Sequence, residues 1–169
     1  MTPVPAARRP PPGGTVEVAP GVTWVRMPLP YALDHVNLWL LAEEDGFTLV
    51  DTGHGDAPTR AAWEALEVGL LRGRPVRRVI CTHHHPDHVG LAGWMAGRWG
   101  AGLWATRTEW LEARAYATAG LREQEEAATR FYRSLGVPEA DLPALAACFH
   151  AYPENVSTPP ATFRRIRDG

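Results

Sequence analysis

The chain has 169 residues, of which 45% are hydrophobic and 21% charged, and its formal net charge is -2. This length and apolar content predict one domain with a single sizeable core. The nearly balanced charge argues against a nucleic-acid partner held by bulk electrostatics, no apolar run is long enough to span a bilayer, and the N-terminus lacks the apolar stretch of a secretory signal. We therefore expect a cytoplasmic protein with no membrane and no nucleic-acid partner.

The N-terminal part predicts a tail followed by strands. Residues 1–14 are rich in proline and lack apolar periodicity, which predicts a disordered tail. Residues 15–27 alternate around a Pro-Gly turn and predict a β-hairpin. Two more strands are predicted at 36–41 and 46–50. Both runs are nearly continuous in apolar residues, as expected for strands that are covered on two faces.

The hydrophobic period then changes to that of a helix. Asp56 is suited to cap a helix, and the residues after it follow helical spacing up to Leu71. A strand at 76–82 completes a β-α-β unit. A short helix at 91–99 and a short strand at 101–106 follow it.

Residues 107–152, called here the helical block, contain three successive helical patterns, at 108–118, 121–135 and 141–150. We expect this insertion to form a cap that contributes substrate contacts, although packing on the outside of the sheet stays open. Residues 153–169 predict the start of a further strand that enters an Asp-Gly turn.

The segment Thr82-His83-His84-His85-Pro86-Asp87-His88-Val89-Gly90 carries the chemistry, with His83, His85, Asp87 and His88 in H-x-H-x-D-H order. Imidazole nitrogens and carboxylate oxygens are the ligands of hydrolytic zinc. In an extended backbone His83 and His85 point to the same side, so they would bind one metal while Asp87 and His88 face a second. A solvated histidine cluster is the plainer alternative, but open α/β sheets hold their sites between a strand end and a helix N-terminus.

This segment resembles the metallo-β-lactamase superfamily, whose hallmark T-H-x-H-x-D-H-x-G it matches from Thr82 to Gly90. The run Leu49-Val50-Asp51-Thr52-Gly53 is similar to the Asp-Thr-Gly motif of that family, and Asn37 is similar to the Asn that often precedes its next strand. The resemblance extends from about Val16 to Arg98. It implies an α/β (α+β) fold, the metallo-β-lactamase αββα sandwich.

In that family a third His, a bridging Asp and a further His follow downstream. After His88 this chain offers only His150, Asp141 and Asp168, and none has the flanking glycines or the strand-end setting of those motifs. We therefore expect an incomplete sandwich, in which residues 15–106 form the N-terminal half of the domain. We also expect its exposed sheet edge to favour aggregation or a homodimer.

The resemblance implies a metal-dependent hydrolase with one or two Zn²⁺ ions, which uses a zinc-bound hydroxide on a small-molecule thioester, lactone or other ester-like carbonyl. Asp87 would be both a ligand and a catalytic group. Asp51 would support a ligand from behind, and His54 and His150 are further candidates for such support or for substrate contact. We expect the chain alone to be weakly active or inactive, because two histidines leave the first metal short of ligands.

Two other functions remain open. A mononuclear iron thiol dioxygenase of the same fold, with Fe²⁺ as its metal, begins with the same H-x-H pair. The second alternative is that the chain is a non-catalytic remnant that still binds a metal.

Overall fold

The computed structural model describes residues 9–118 and 121–167, except for the side chains of residues 121–124 and 148–151. Within these residues the chain forms one seven-stranded sheet in the order β1-β2-β3-β4-β5-β6-β7. The strands are β1 (Thr15–Ala19), β2 (Val22–Pro28), β3 (His35–Glu43), β4 (Gly46–Val50), β5 (Val76–Ile80), β6 (Gly102–Ala105) and β7 (Arg164–Arg165).

Six α-helices lie within the described residues, and none of them is both long enough and apolar enough to cross a membrane. They are α1 (Ala57–Leu66), which continues as a π-helical turn (Glu67–Leu71), α2 (Pro86–Val89), α3 (Ala92–Trp99), α4 (Arg107–Thr118), α5 (Leu121–Ser134) and α6 (Leu142–Asn155).

The sheet is antiparallel from β1 to β4 and parallel from β4 to β7. Short turns join the antiparallel strands, whereas α1 crosses from β4 to β5 and α3 lies between β5 and β6. The carboxyl ends of β4, β5 and β6 therefore meet at one edge of the sheet, where open α/β folds place their sites. The mixed sheet and the helical block confirm the predicted fold class, the first half of the sandwich.

Local sequence chemistry fixes the start of α1 where it is predicted. The Asp56 carboxylate accepts a hydrogen bond from the Thr59 backbone N–H at 2.9 Å, and Pro58 occupies the first turn. The helix buries Trp63 completely. Its π-helical turn ends at Arg72, which adopts a left-handed conformation with φ 49°.

The core lies between one face of the sheet and the helices α1 and α3. Fully buried side chains from the strands meet fully buried side chains from the helices and from the segment before α3. They include Val25, Leu38, Leu40, Leu49 and Val79 from the sheet, and Trp63, Leu91 and Met95 from the helical side.

The prediction that β3 is covered on two faces was wrong. Val36, Leu38 and Leu40 are buried, but Asn37 is exposed and Trp39 is 38% exposed between them. The run looked two-sided in sequence because tryptophan counts as apolar. Strand geometry nevertheless sends alternate residues to opposite faces, and only one face of β3 meets the helices.

An apolar row crosses the other face of the sheet. Register pairs Trp24 with Trp39, Trp39 with Val50, Val50 with Ile80, and Ile80 with Trp104. Trp39 is exposed and the other four are half-buried. Apolar side chains therefore cross the sheet on both of its faces.

The predicted disordered tail does not hold for residues 10–14. The Gly13 N–H donates to the Arg26 carbonyl at 2.6 Å, and the Arg26 N–H donates to the Gly14 carbonyl at 3.0 Å. The Arg26 guanidinium also donates to the Pro10 carbonyl at 3.2 Å. These bonds extend the β2 ladder to the segment before β1, which composition alone could not reveal. Residues 1–8 lie outside the described part of the chain.

The end of the helical block also differs from the prediction. Helix α6 continues to Asn155 and includes Pro153, whereas the pattern predicted an end at His150. Tyr152 is buried and the Asn155 carbonyl accepts the Gly55 N–H, so tertiary contacts on both sides of Pro153 hold the last turn. The short β7 follows, and the predicted Asp168-Gly169 turn lies outside the described residues.

Two glycines on α3 provide a matched test of this packing. A Cβ at Gly93 would lie 2.1 Å from the Thr158 carbonyl oxygen, whereas a Cβ at Gly97 would meet nothing within 4 Å. We expect Gly93→Ala to lower the free energy of unfolding by about 1–3 kcal/mol because the backbone must move apart. Gly97→Ala should raise it by roughly 0.5–1 kcal/mol through helix propensity alone. Urea denaturation of both variants measures the difference, and equal effects would contradict the packing described.

Candidate metal centre

The histidine motif is divided between a loop and a helix. Residues 81–85, called here the metal loop, follow β5 and lead to His85, whose extended backbone (φ -61°, ψ 146°) precedes α2. Pro86 occupies the first helical position, where its missing N–H costs nothing. His83 therefore lies in the loop, His85 at its end, and Asp87 and His88 in the first turn of α2.

The structure brings three of the motif's imidazoles together. The ring centroids of His83 and His85 are 4.7 Å apart, and those of His83 and His88 are 4.0 Å apart. Burial and the neighbouring His88 and His85 lower the pKa of His83, which favours the neutral, metal-binding form. The rings of His83 and His85 thus lie on the same side of the loop.

His88 lies between two carboxylates. Its Nδ1 is 2.9 Å from the Asp51 Oδ2, and its Nε2 is 3.3 Å from the Asp87 Oδ2. Burial lowers the pKa of His88, but the hydrogen bonds and charges of Asp51 and Asp87 outweigh it and raise that pKa to about 9. The hydrogen bond from His88 also lowers the pKa of Asp87.

The spacing of the His88 and Asp87 atoms suits a metal ion. Two ligand atoms that are each about 2.0–2.1 Å from a tetrahedral zinc lie roughly 3.3 Å from each other. Nε2 of His88 and Oδ2 of Asp87 have that separation. Over residues 9–118 and 121–167, leaving aside the side chains of residues 121–124 and 148–151, no three His, Cys, Asp or Glu side chains are arranged to hold one ion. The described residues therefore supply pairs of metal donors, not a three-donor set.

The Asp51 carboxylate connects the elements of the site. Its Oδ1 accepts the Thr82 backbone N–H at 2.8 Å, and the Thr82 hydroxyl lies 2.8 Å from Oδ2, the oxygen that also faces His88. Asp51 is only 5% exposed. Its φ of 62° is left-handed, a conformation in which Asp and Asn are enriched, and it turns the chain at the end of β4. One side chain thus joins the ends of β4 and β5 to α2.

Thr52 holds α2 from the other side, a role that the sequence analysis did not assign. Its backbone N–H and its hydroxyl both donate to the His88 carbonyl, at 2.7 and 2.8 Å. The hydroxyl oxygen also accepts the Leu91 N–H at 3.0 Å. Gly53 follows with φ 83°, where a Cβ would lie 2.8 Å from Thr59 Cγ2. Within the Asp-Thr-Gly motif, Asp51 therefore binds the ring of His88 and Thr52 binds its carbonyl. Thr52 also holds the end of α2 through the Leu91 N–H.

Gly90 ends the motif where three segments meet. A Cβ there would lie 2.3 Å from the Pro86 carbonyl oxygen, 2.5 Å from the Gly55 nitrogen and 2.6 Å from the Gly53 oxygen. The Ser157 N–H donates to the Gly90 carbonyl at 2.7 Å. Only glycine fits this position without separation of the segments.

The other predicted candidates are placed differently. His54 is 2% exposed, and its Nδ1 contacts the Asp56 carboxylate at 3.0 Å while its Nε2 contacts the Tyr31 hydroxyl at 3.0 Å. Both ring nitrogens are thereby occupied by residues outside the histidine motif, and the predicted support of a ligand or contact with substrate stays a prediction. His150 belongs to α6, but its side chain lies outside the described residues. Cys81, which opens the metal loop and was not among the predicted candidates, is buried in the core, and burial with the Asp51 charge raises the pKa of its thiol.

The chain is similar to known proteins of one family. The family model for the metallo-beta-lactamase superfamily matches residues 31–162. The crystal structure of a beta-lactamase domain protein from Burkholderia ambifaria is 40% identical with a TM-score of 0.80, over 97% of this chain and 47% of that chain. The structure of a metallo-beta-lactamase family protein from Thermus thermophilus is 35% identical with a TM-score of 0.67, over 90% of this chain and 48% of that chain.

Among curated proteins, the probable metallo-hydrolase YqjP of Bacillus subtilis is 35% identical over 68 residues, which is 40% of this chain and 21% of that protein. The chain thus spans about half the length of the two solved structures and aligns with about a fifth of YqjP. The matched family model covers most of the chain, including both motifs that carried the resemblance. The chain belongs to the metallo-β-lactamase superfamily.

Proposed function

We propose that this chain provides the metal-binding part of a zinc-dependent hydrolase that acts on a small-molecule thioester, lactone or other ester-like carbonyl. The observation that carries this proposal is the row of Asp51, His88 and Asp87, in which an imidazole lies between a buried carboxylate and a carboxylate at ligand spacing. The name of YqjP, a probable metallo-hydrolase, supports hydrolysis as the reaction class.

The four motif residues divide into two donor pairs. His83 and His85 would hold one ion, and Asp87 and His88 a second. Zinc in such sites lowers the pKa of bound water and polarises the carbonyl to be attacked. Asp51 accepts the Nδ1 proton of His88, so a metal ion would replace the proton on Nε2, the nitrogen that faces Asp87. Asp87, which is partly exposed, would receive a proton and pass it to the leaving group.

The activity is proposed for the full-length protein, of which we infer that this chain is a part. The described residues offer each ion two donors, whereas catalytic zinc usually has three protein ligands. Assays of zinc-loaded chain and full-length protein on thioester and lactone substrates test the reaction. Zinc-dependent turnover by the full-length protein that is lost in His83→Ala supports the proposal. Absence of turnover by zinc-loaded full-length protein on every such substrate would contradict it.

The donor pairs can be tested in the chain itself by zinc titration. Structural zinc sites with four ligands bind with about 10–16 kcal/mol, so loss of one ligand should weaken binding by about two orders of magnitude. We therefore expect His83→Ala and His85→Ala to weaken zinc binding about 100-fold in isothermal titration. His35→Ala is the matched control, because His35 contacts Arg26 and Asp34 instead. Equal affinity in all three variants would refute the assignment of His83 and His85 as zinc ligands. Elemental analysis of the bound metal distinguishes zinc from iron.

Asp51→Asn tests the support behind His88. Asparagine tolerates the left-handed backbone, so the substitution removes the charge and turns one acceptor into a donor. We expect a loss of about 1–3 kcal/mol in unfolding free energy because a buried donor loses its partner. Zinc affinity should fall about 10- to 100-fold. The control Asp45→Asn alters an exposed pair with Arg77 and should change neither quantity appreciably. Wild-type affinity in Asp51→Asn would exclude a role in orienting His88.

A further inference from the structure

His84 lies between the two predicted histidine ligands, and both its backbone N–H and its backbone carbonyl are hydrogen-bonded. The backbone N–H of His84 donates to the Glu109 Oε2 at 2.8 Å. The carbonyl of His84 accepts the Tyr152 hydroxyl at 2.6 Å. Glu109 lies on α4 and Tyr152 on α6, so two helices of the helical block reach the metal loop from 25 and 68 residues away.

Glu109 is fixed at the start of its helix. Its Oε2 also contacts the His84 Nδ1 at 2.7 Å, so one carboxylate oxygen receives the backbone and the ring of the same residue. Its own N–H donates to the Thr106 hydroxyl at 3.3 Å, directly after β6. Because β6 pairs with β5, which leads into the metal loop, the position of this carboxylate is set by the sheet.

Tyr152 is fixed by packing. It is 8% exposed, and its ring lies 5.4 Å from that of Tyr116, which in turn lies 5.7 Å from the ring of His84. The hydroxyl is therefore directed at the loop by an aromatic cluster that includes the loop residue itself.

These contacts matter because of the residue that they restrain. The Cys81 N–H still donates to the Trp104 carbonyl at 2.9 Å, but residues 82–85 lie in no strand or helix, so no ladder restrains their backbone. Along a chain, the relative direction of side chains i and i+2 depends on the backbone angles of residue i+1. Residue i+1 is here His84, between His83 and His85. Bonds to both its N–H and its carbonyl limit the rotation that would separate the two neighbouring rings.

We propose that Glu109 and Tyr152 are positioning residues that hold the backbone N–H and the carbonyl of His84 and thereby keep His83 and His85 convergent before a metal binds. The helical block is then part of the metal centre and not only a cover over it. The consequence for metal affinity rests on the proposed function, whereas the ordering of the metal loop does not.

Hydrogen exchange at the His84 amide and zinc titration test this proposal together, on the whole chain. The variants are Glu109→Ala, Glu109→Gln and Tyr152→Phe, the last of which retains the ring and removes only the hydroxyl. The controls are Glu139→Gln, which alters an exposed pair with Arg133, and Tyr132→Phe on α5. Circular dichroism establishes that each variant is folded.

We expect faster exchange of the His84 amide by at least about tenfold in Glu109→Ala and Tyr152→Phe, and zinc affinity lower by about 10- to 100-fold. Glu109→Gln retains one acceptor oxygen, so it should give intermediate values. The controls should match the wild type. A merely structural role would lower the melting temperature and leave zinc affinity unchanged well below the transition.

The outcomes separate this inference from the proposed function. Wild-type exchange at the His84 amide in both Glu109→Ala and Tyr152→Phe overturns the inference, whatever happens to zinc. Faster exchange with unchanged zinc affinity also overturns it, because zinc binding by His83 and His85 then does not depend on the hydrogen bonds to the His84 backbone. If zinc binding is equally weak in the wild type and in His83→Ala, the metal assignment fails. The exchange measurement then still decides whether Glu109 and Tyr152 order the loop.

Discussion

The carboxylate of Asp51 is the contact on which the rest of the site depends. It lies at the end of β4, binds the first residues after β5 through Thr82, and binds the ring of His88 on α2. A buried carboxylate requires hydrogen-bond donors, and here every donor comes from the neighbouring strand end or from the motif helix. The same contacts that satisfy the buried charge therefore bring the histidines to one edge of the sheet.

Close backbone packing provides the second constraint. Gly55, Gly90 and Gly93 each lie where a Cβ would overlap the backbone of another segment, two of them against residues 155–158. The Ser157 hydroxyl accepts the Trp94 N–H and donates to the Gly90 carbonyl, so polar groups in this crowded region remain paired. The segment that follows α6 therefore packs against the end of α2, although the two are distant in sequence.

Local chemistry explains what the sequence could predict. The Asp56 cap, the turns between the antiparallel strands and the order of residues from Thr82 to Gly90 are all encoded within a few positions. The roles of Thr52, Glu109 and Tyr152 depend on partners 25 to 68 residues away, and no local pattern specifies such partners. The pairing of residues 10–14 with Arg26 was missed for the same reason, whereas the exposed face of β3 was missed because tryptophan counts as apolar.

The weak link between β6 and β7 has a consequence for how the molecule folds. These strands pair only through Trp104 with Arg164 and Ala105 with Arg165, yet the whole helical block lies between them in the chain. Closing so long a connection costs conformational entropy before the two pairs can contribute, so this part of the sheet forms late. Trp110 on α4 stacks on Phe163, with ring centroids 4.4 Å apart, and so adds a contact between α4 and the returning segment next to β7. The antiparallel strands β1 to β4 need no such return and are the natural place for folding to begin.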